Sequence, residues 1–185
     1  MTNDEGDMKI ACTMAPGRGD TDLLLERIAN SLQRRGLRVR GTVQVNSDQQ
    51  CVGPCDMDVC VLPDGPVIRI SQSLGEGARG CRLNPEALET AVGLVSTSLE
   101  QPTDVLIINK FGKHEAEGRG FRPVIADALA RGIPVLVGLN RLNNDAFEAF
   151  SCGLAENLPP DPARIEEWML LNAPRRAEAS RRLNV

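Results

Sequence analysis

Three unbroken apolar runs do most to constrain this chain: "KIACTM" (Lys9–Met14), "DVLIIN" (Asp104–Asn109) and "IPVLVGL" (Ile133–Leu139). None alternates with polar residues, so each predicts a strand buried on both faces. Such strands belong to parallel sheets covered by helices on both sides. The segments between them supply the helices. From Asp22 to Arg35 the apolar residues Leu24, Leu25, Ile28 and Leu32 recur at helical spacing, and Gly36 follows as a terminator. Asn84 is placed to cap a helix that starts at Pro85 and runs to about Leu99. "FRPVIADALARG" is another helix ending at a glycine, and "DAFEAFSCG" and "PARIEEWMLLNA" are short closing helices. "LRVRGTVQV" (Leu37–Val45) alternates as a strand does, and "MDVCVL" and "VIRIS" flank "PDGP" as a hairpin with Asp64 and Gly65 in its turn. "KFGKHEAEGRG" reads as a charged loop. The expected architecture is α/β: a mainly parallel sheet, helices on both faces, and an inserted β-hairpin. Residues 1–7 form a disordered start, 8–173 a single domain, and 174–185 a basic tail.

The chain has 185 residues, 42% apolar and 25% charged, which suits one sizeable core. Aromatic residues make up only 3%, so Leu, Ile, Val and Ala must build that core. Few aromatic stacking platforms and a formal net charge of -4 argue against nucleic acid as a partner. No apolar run approaches the ~20 residues that span a bilayer. The acidic start "MTNDEGD" lacks a signal-peptide hydrophobic region. A cytoplasmic location with no membrane partner is expected, and there the six cysteines are free thiols or metal ligands rather than disulfides.

In such a sheet, ligands gather beyond the carboxyl ends of the strands. Two loops stand there, after Met14 and after Asn109. The first, "APGRGDTD", lies between strand and helix, as a phosphate loop does. Set against G-x-x-x-x-G-K-[ST], Gly19 and Thr21 match, Met14 replaces the first glycine and Asp20 replaces the lysine. Gly17 lies inside the loop, where close backbone approach to a phosphate is useful. Backbone N–H groups and the helix dipole still attract an anion there. Reversing one charge ~4 Å away shifts the balance by several kcal/mol at an effective dielectric near 20. Spacing alone leaves two readings open. Gly17, Arg18, Gly19, Asp20 and Thr21 bind a nucleotide or oxyanion, or Asp20 caps the helix in an ordinary turn.

The second loop adds a resemblance. "DVLIINKFGKHEAEGRGF" (Asp104–Phe121) resembles the second signature of the thermophile-type nucleoside-triphosphatases, a small phosphate-loop family whose pattern is an apolar strand followed by D-E-I-G-K-M-E. Gly112, Lys113 and Glu115 match, while Asn109 replaces the magnesium-associated aspartate and Lys110 the catalytic glutamate. Phe121 and "ALARGIPVL" resemble that family in kind and order, and the likeness spans about Lys9 to Leu139. It implies a three-layer phosphate-loop NTPase-like fold, with Asn109, Lys110, Lys113 and Glu115 at the catalytic positions and a nucleotide with Mg2+ as the cofactor. The departures make ordinary hydrolysis doubtful, because it needs a carboxylate near the metal and a cation on the phosphates. A Lys110–Asp20 ion pair across the site would absorb the exchanged charges. Alternatively, Lys110 or Lys113 supplies charge to an oxyanion.

A closer resemblance is to an uncharacterised bacterial family of divergent phosphate-loop proteins, often near molybdenum-uptake genes. It rests on "CDMDVCVLPDGPVIRISQSLGEGARGCRLNPEAL" (Cys55–Leu88), "INKFGKHEAEGRGFR" and "GIPVLVGLN". It implies a role near molybdate or a molybdenum enzyme. Three functions stay open: a degenerate phosphate-loop protein binding a nucleotide, phosphate or other oxyanion as an accessory or regulatory factor; an active nucleoside-triphosphatase with relocated charges; and a metal or iron–sulfur protein. The last would use Cys51, Cys55 and Cys81, shared between two chains if the protein is a homodimer, with simple thiols as the alternative. Cys12 and Cys60 lie in strands and read as core. Arg79, Arg82 and Arg119 (with Arg122) lie in glycine-bearing loops and can clamp an oxyanion bidentately or pair with Glu76, Glu115 and Glu117. His114, the single histidine, is read as a solvated surface residue.

Overall fold

The computed structural model describes residues 8–45, 57–72 and 82–174. Cys51, Cys55, Cys81 and Arg79, the expected disordered start 1–7 and residues 175–185 of the expected tail lie outside the described residues.

In chain order the elements are β1 (Ile10–Thr13), α1 (Asp20–Arg34), β2 (Val39–Val45), β3 (Asp58–Leu62), β4 (Val67–Arg69), α2 (Pro85–Ser98), β5 (Val105–Ile108), α3 (Lys113–Ala116), α4 (Arg122–Ala130), β6 (Val135–Gly138), α5 (Asn144–Ser151), β7 (Glu156–Asn157) and α6 (Pro162–Asn172). The seven strands form one sheet in the order β4-β3-β2-β5-β6-β1-β7. β2, β5, β6, β1 and β7 pair in parallel, and β3 and β4 join through antiparallel pairings. The inserted hairpin expected around Asp64 and Gly65 is therefore the sheet's β3–β4 edge. Among the described residues, no helix is long and apolar enough to cross a membrane.

The continuous apolar strands follow from two cores on opposite faces. Ile10, Cys12, Leu106, Ile108, Val135 and Val137 point to one core with α2, α4 and α5, where Leu88, Val95, Ile125 and Phe147 meet them. The alternate residues Ala11, Val105, Ile107 and Leu136 point to the other, against Leu25, Ile28 and Leu32 of α1 and Ile165 and Met169 of α6. Strand residues on both faces are buried, so no polar alternation survives in the sequence. Truncating one such side chain to alanine typically costs ~2–5 kcal/mol.

Polar contacts and backbone geometry fix where the strands and helices begin. The Asp104 carboxylate, nearly fully buried, accepts from the Arg38 backbone N–H at 2.7 Å and from its guanidinium. That pins the starts of β2 and β5 together, and the hydrogen bond to Asp104 raises the Arg38 pKa above its ordinary value. Asn84 caps α2 as expected, its side chain accepting from Ala87 N–H at 3.2 Å. α1 starts two residues earlier than its apolar spacing indicates, and Asp20 is not its cap. Gly19 holds the N-cap position with φ 81° and no side-chain cap, which leaves Asp20 as the first helical residue.

One glycine is fixed by the sheet itself. Gly41 lies within β2 at φ +113°, and a β-carbon there would collide with the Ile107 carbonyl of neighbouring β5. Gly36, which ends α1 at φ +82°, has open space around it. Gly41→Ala is therefore expected to cost more than ~3 kcal/mol, combining backbone strain and overpacking. Gly36→Ala should cost only ~1–2 kcal/mol for its left-handed backbone. Urea denaturation midpoints of the two variants measure the difference.

Candidate functional site

The carboxyl ends of β1, β5 and β6 open onto a cleft of about 450 Å3. Residues 14–19 and the first turn of α1 (Thr21, Asp22) form one wall. Lys110 after β5, and Leu139, Asn140 and Arg141 after β6, form the rest. The β6 loop lies at the same sheet edge as the two loops singled out in the sequence. The rule that finds those two also selects it, and Asn140 and Arg141 are the contributors that sequence reasoning misses.

The first loop is built as a turn into a helix. The Thr21 hydroxyl accepts the Ala15 N–H at 2.9 Å, closing the loop on itself. A β-carbon on Gly17 would collide with the Asp20 carboxylate, so that carboxylate lies folded over Gly17. The lysine position of a phosphate loop thus carries a negative charge against the loop's own backbone.

Behind it sits a buried polar bridge. Asn109 Nδ2 donates to Asp22 Oδ1 at 2.9 Å, and Asn109 Oδ1 accepts the Gln44 N–H at 3.0 Å. Both Asn109 and Asp22 are almost wholly buried. Lys110 Nζ stands 3.8 Å from the same Asp22 oxygen. Lys110 therefore pairs with Asp22, not with Asp20 as the exchanged charges suggest. The reason is the helix phase: Asp20 folds over Gly17, while Asp22, two residues on, faces the end of β5. Nothing in the family-type motif marks Asp22, so its role is not legible from spacing.

Lys110 is held by its neighbour. Phe111 is fully buried, with its ring edge-on to Phe147 at a centroid distance of 5.2 Å. Its N–H donates to the Gly138 carbonyl at 2.9 Å. The backbone at Lys110 is thus fixed from the core side, and the lysine side chain, about two-fifths exposed, reaches the cleft.

The remainder of the second signature has a different placement. The segment read as a charged loop contains the short helix α3, and His114 is buried, not solvated. Its Nε2 has no hydrogen-bond partner among the described residues. Glu115 is buried and accepts twice from backbone: Oε2 from Gly112 N–H at 2.9 Å and Oε1 from Phe121 N–H at 3.0 Å. Lys113 pairs with Glu117 at 3.7 Å, and Arg119 also pairs with Glu117. Arg122 stacks over Phe150 at 4.9 Å. Arg82 lies where its carbonyl accepts the Gln72 N–H. Lys113, Glu115, Arg82 and Arg119 are not brought to the cleft wall. Among the described residues, no three His, Cys, Asp or Glu side chains group to hold a metal ion.

The fold and the cleft define the class. A solved structure, "Solution Structure of a Human Cancer-Related Nucleoside Triphosphatase", aligns at a TM-score of 0.54 over 87% of this chain and 93% of that one, at 16% identity. The chain thus has the α/β phosphate-loop NTPase-like fold. The family described as "Protein of unknown function (DUF2478)" matches residues 10–168, and the chain belongs to it. It is also 36% identical, over 160 residues, to the "Molybdenum import ATP-binding protein ModC 2" of Bradyrhizobium diazoefficiens. The match takes in 86% of this chain but only 18% of that relative, so the relative is far longer.

Two predictions follow from these placements. Glu115→Ala strands two backbone donors and should cost ~2–4 kcal/mol, while Lys113→Ala, exposed and singly paired, should stay within ~0.5 kcal/mol. Chemical denaturation of both variants checks this. Burial pushes the Cys12 thiol up to about 11, whereas Cys152 is exposed. At pH 8 the Cys12 thiolate is then on the order of a thousandth of the total. Peptide mapping after iodoacetamide treatment should show Cys152 alkylated and Cys12 intact.

Proposed function

We propose that this protein binds a small oxyanion, either free or as the phosphate group of a nucleotide, and acts as an accessory or regulatory factor in molybdenum metabolism rather than as a nucleotide hydrolase. The observation that carries the reading is the charge of the cleft wall. Arg18, Lys110 and Arg141 line it with one carboxylate, Asp22, while Asp20, the other acid in the first turn of the 15-residue α1, is folded back over Gly17. Backbone N–H groups at a helix start and converging cations suit a compact anion.

The same wall argues against hydrolysis. Phosphoryl transfer needs a carboxylate-held metal, a cation on the outer phosphates and a group that orients the attacking water. Asp20 stands at the cation's place, Asn109 and Lys110 replace the two carboxylates, and Glu115 is spent on backbone N–H groups. Gly17, Arg18, Gly19 and Thr21 are proposed as binding residues, with Lys110 and Arg141 as the charge-bearing contacts.

The link to molybdenum rests on the resemblance of this chain to one part of a molybdenum import ATP-binding protein. The matched region is only 18% of that import protein. A module of this kind would serve such a machine as a binding or sensing part.

Isothermal titration with ATP, GTP, inorganic phosphate and molybdate tests the reading. At least one should bind. Lys110→Ala and Arg141→Ala should each weaken binding about tenfold, the loss of one charge-assisted contact. No phosphate release from ATP or GTP above the protein-free rate is expected. Failure of every anion to bind would remove the proposal.

A further inference from the structure

We infer that this cleft takes its oxyanion without a divalent cation, because the Lys110 ammonium already pairs with Asp22, the carboxylate of the cleft wall. The inference rests on the anion-binding reading above and adds the class of complex formed: metal-free tetrahedral oxyanion, not its magnesium salt.

A phosphate-loop fold implies Mg2+, so the residues must be tested against that ion. Mg2+ demands near-octahedral oxygen ligands at short range, usually one or two carboxylates with waters and phosphate oxygens. Asp20 has its carboxylate folded over Gly17, and the cleft wall itself offers one carboxylate, Asp22, which is 4% exposed. Its Oδ1 already accepts from Asn109 at 2.9 Å and faces Lys110 Nζ at 3.8 Å. Asn109 cannot turn its own oxygen toward an ion without losing two bonds. Its Oδ1 holds the Gln44 N–H, and exchanging the two ends of the amide would place an N–H against an N–H and an oxygen against a carboxylate. The Thr21 hydroxyl is drawn back to the Ala15 N–H. An ion bound at Asp22 would also stand beside the Lys110 ammonium, and like charges at such separations repel strongly when partly desolvated. With Lys110 in place, the donor set does not fit magnesium.

It fits a bare anion. With Asp22 neutralised by Lys110, the other two cations of the wall, Arg18 and Arg141, are left to an incoming ligand. Lys110 can also turn toward that ligand, because its pairing with Asp22 is at the long end of an ion pair. Magnesium in solution would then compete for the ligand instead of bridging it to the protein.

The test is titration of the full chain with ADP and, separately, with inorganic phosphate and molybdate, each in excess EDTA and in millimolar Mg2+. The three ligands separate a nucleotide phosphate from a free tetrahedral anion. Binding in EDTA should equal or exceed binding in Mg2+ for whichever ligand binds. Lys110→Met should reverse that order, giving affinity about tenfold higher in Mg2+ than in EDTA as Asp22 loses its ammonium. Wild-type binding about tenfold tighter in Mg2+ would overturn the inference while leaving anion binding intact. A folded Lys110→Met variant indifferent to Mg2+ would overturn the role given to Lys110. If that variant does not fold, the wild-type comparison decides alone. Absence of binding under both conditions would instead remove the anion-binding reading, and this inference with it.

Discussion

The Asn109 side chain is the contact on which the geometry of the cleft depends. It sits at the carboxyl end of β5 and reaches the backbone of β2 with its oxygen and the first turn of α1 with its nitrogen. Three elements distant in sequence are thereby locked at one point beneath the cleft floor. A buried amide that uses both of its ends is stable where it stands, and a half-satisfied one would be costly. The bridge sets where Asp22 lies, Asp22 attracts Lys110, and Lys110 in turn determines the charge that a ligand meets. Phe111 completes the arrangement from the core side, since it anchors the chain immediately after the lysine.

Position by position, the charge pattern departs from that of a phosphate-hydrolysing loop, yet the arrangement is internally consistent. An acid at Asp20 folds onto its own turn. An acid at Asp22 is matched by an amide and an ammonium from the facing loop. The Asp22 carboxylate is compensated within a few ångströms by both.

The layered sheet was legible because the strands buried on both faces leave unbroken apolar runs, as Val105–Ile108 and Val135–Gly138 do. The hairpin was legible from its Asp64-Gly65 turn, and α2 from its Asn84-Pro85 start. Where the reading failed, tertiary contacts had overridden local signals. "KHEA" is polar enough to read as loop, but Glu115 draws Gly112 and Phe121 around it, and His114 goes inward with that turn. Asp22 carries no local mark of its role, because its partner lies 87 residues away. β7 is two exposed residues long, too short for any pattern to reveal. Arg141 belongs to a loop that the strand-end rule indicates but no motif marks.

Glu115 has a further consequence for how signatures are used. It keeps the corner between α3 and α4 closed, and a β-carbon on Gly120 would collide with its carboxylate, so the glycine and the acid form one structural unit. A search pattern that counts this glutamate as a match is scoring the shape of a bend. Such a pattern would retrieve chains sharing the bend whether or not they cleave anything.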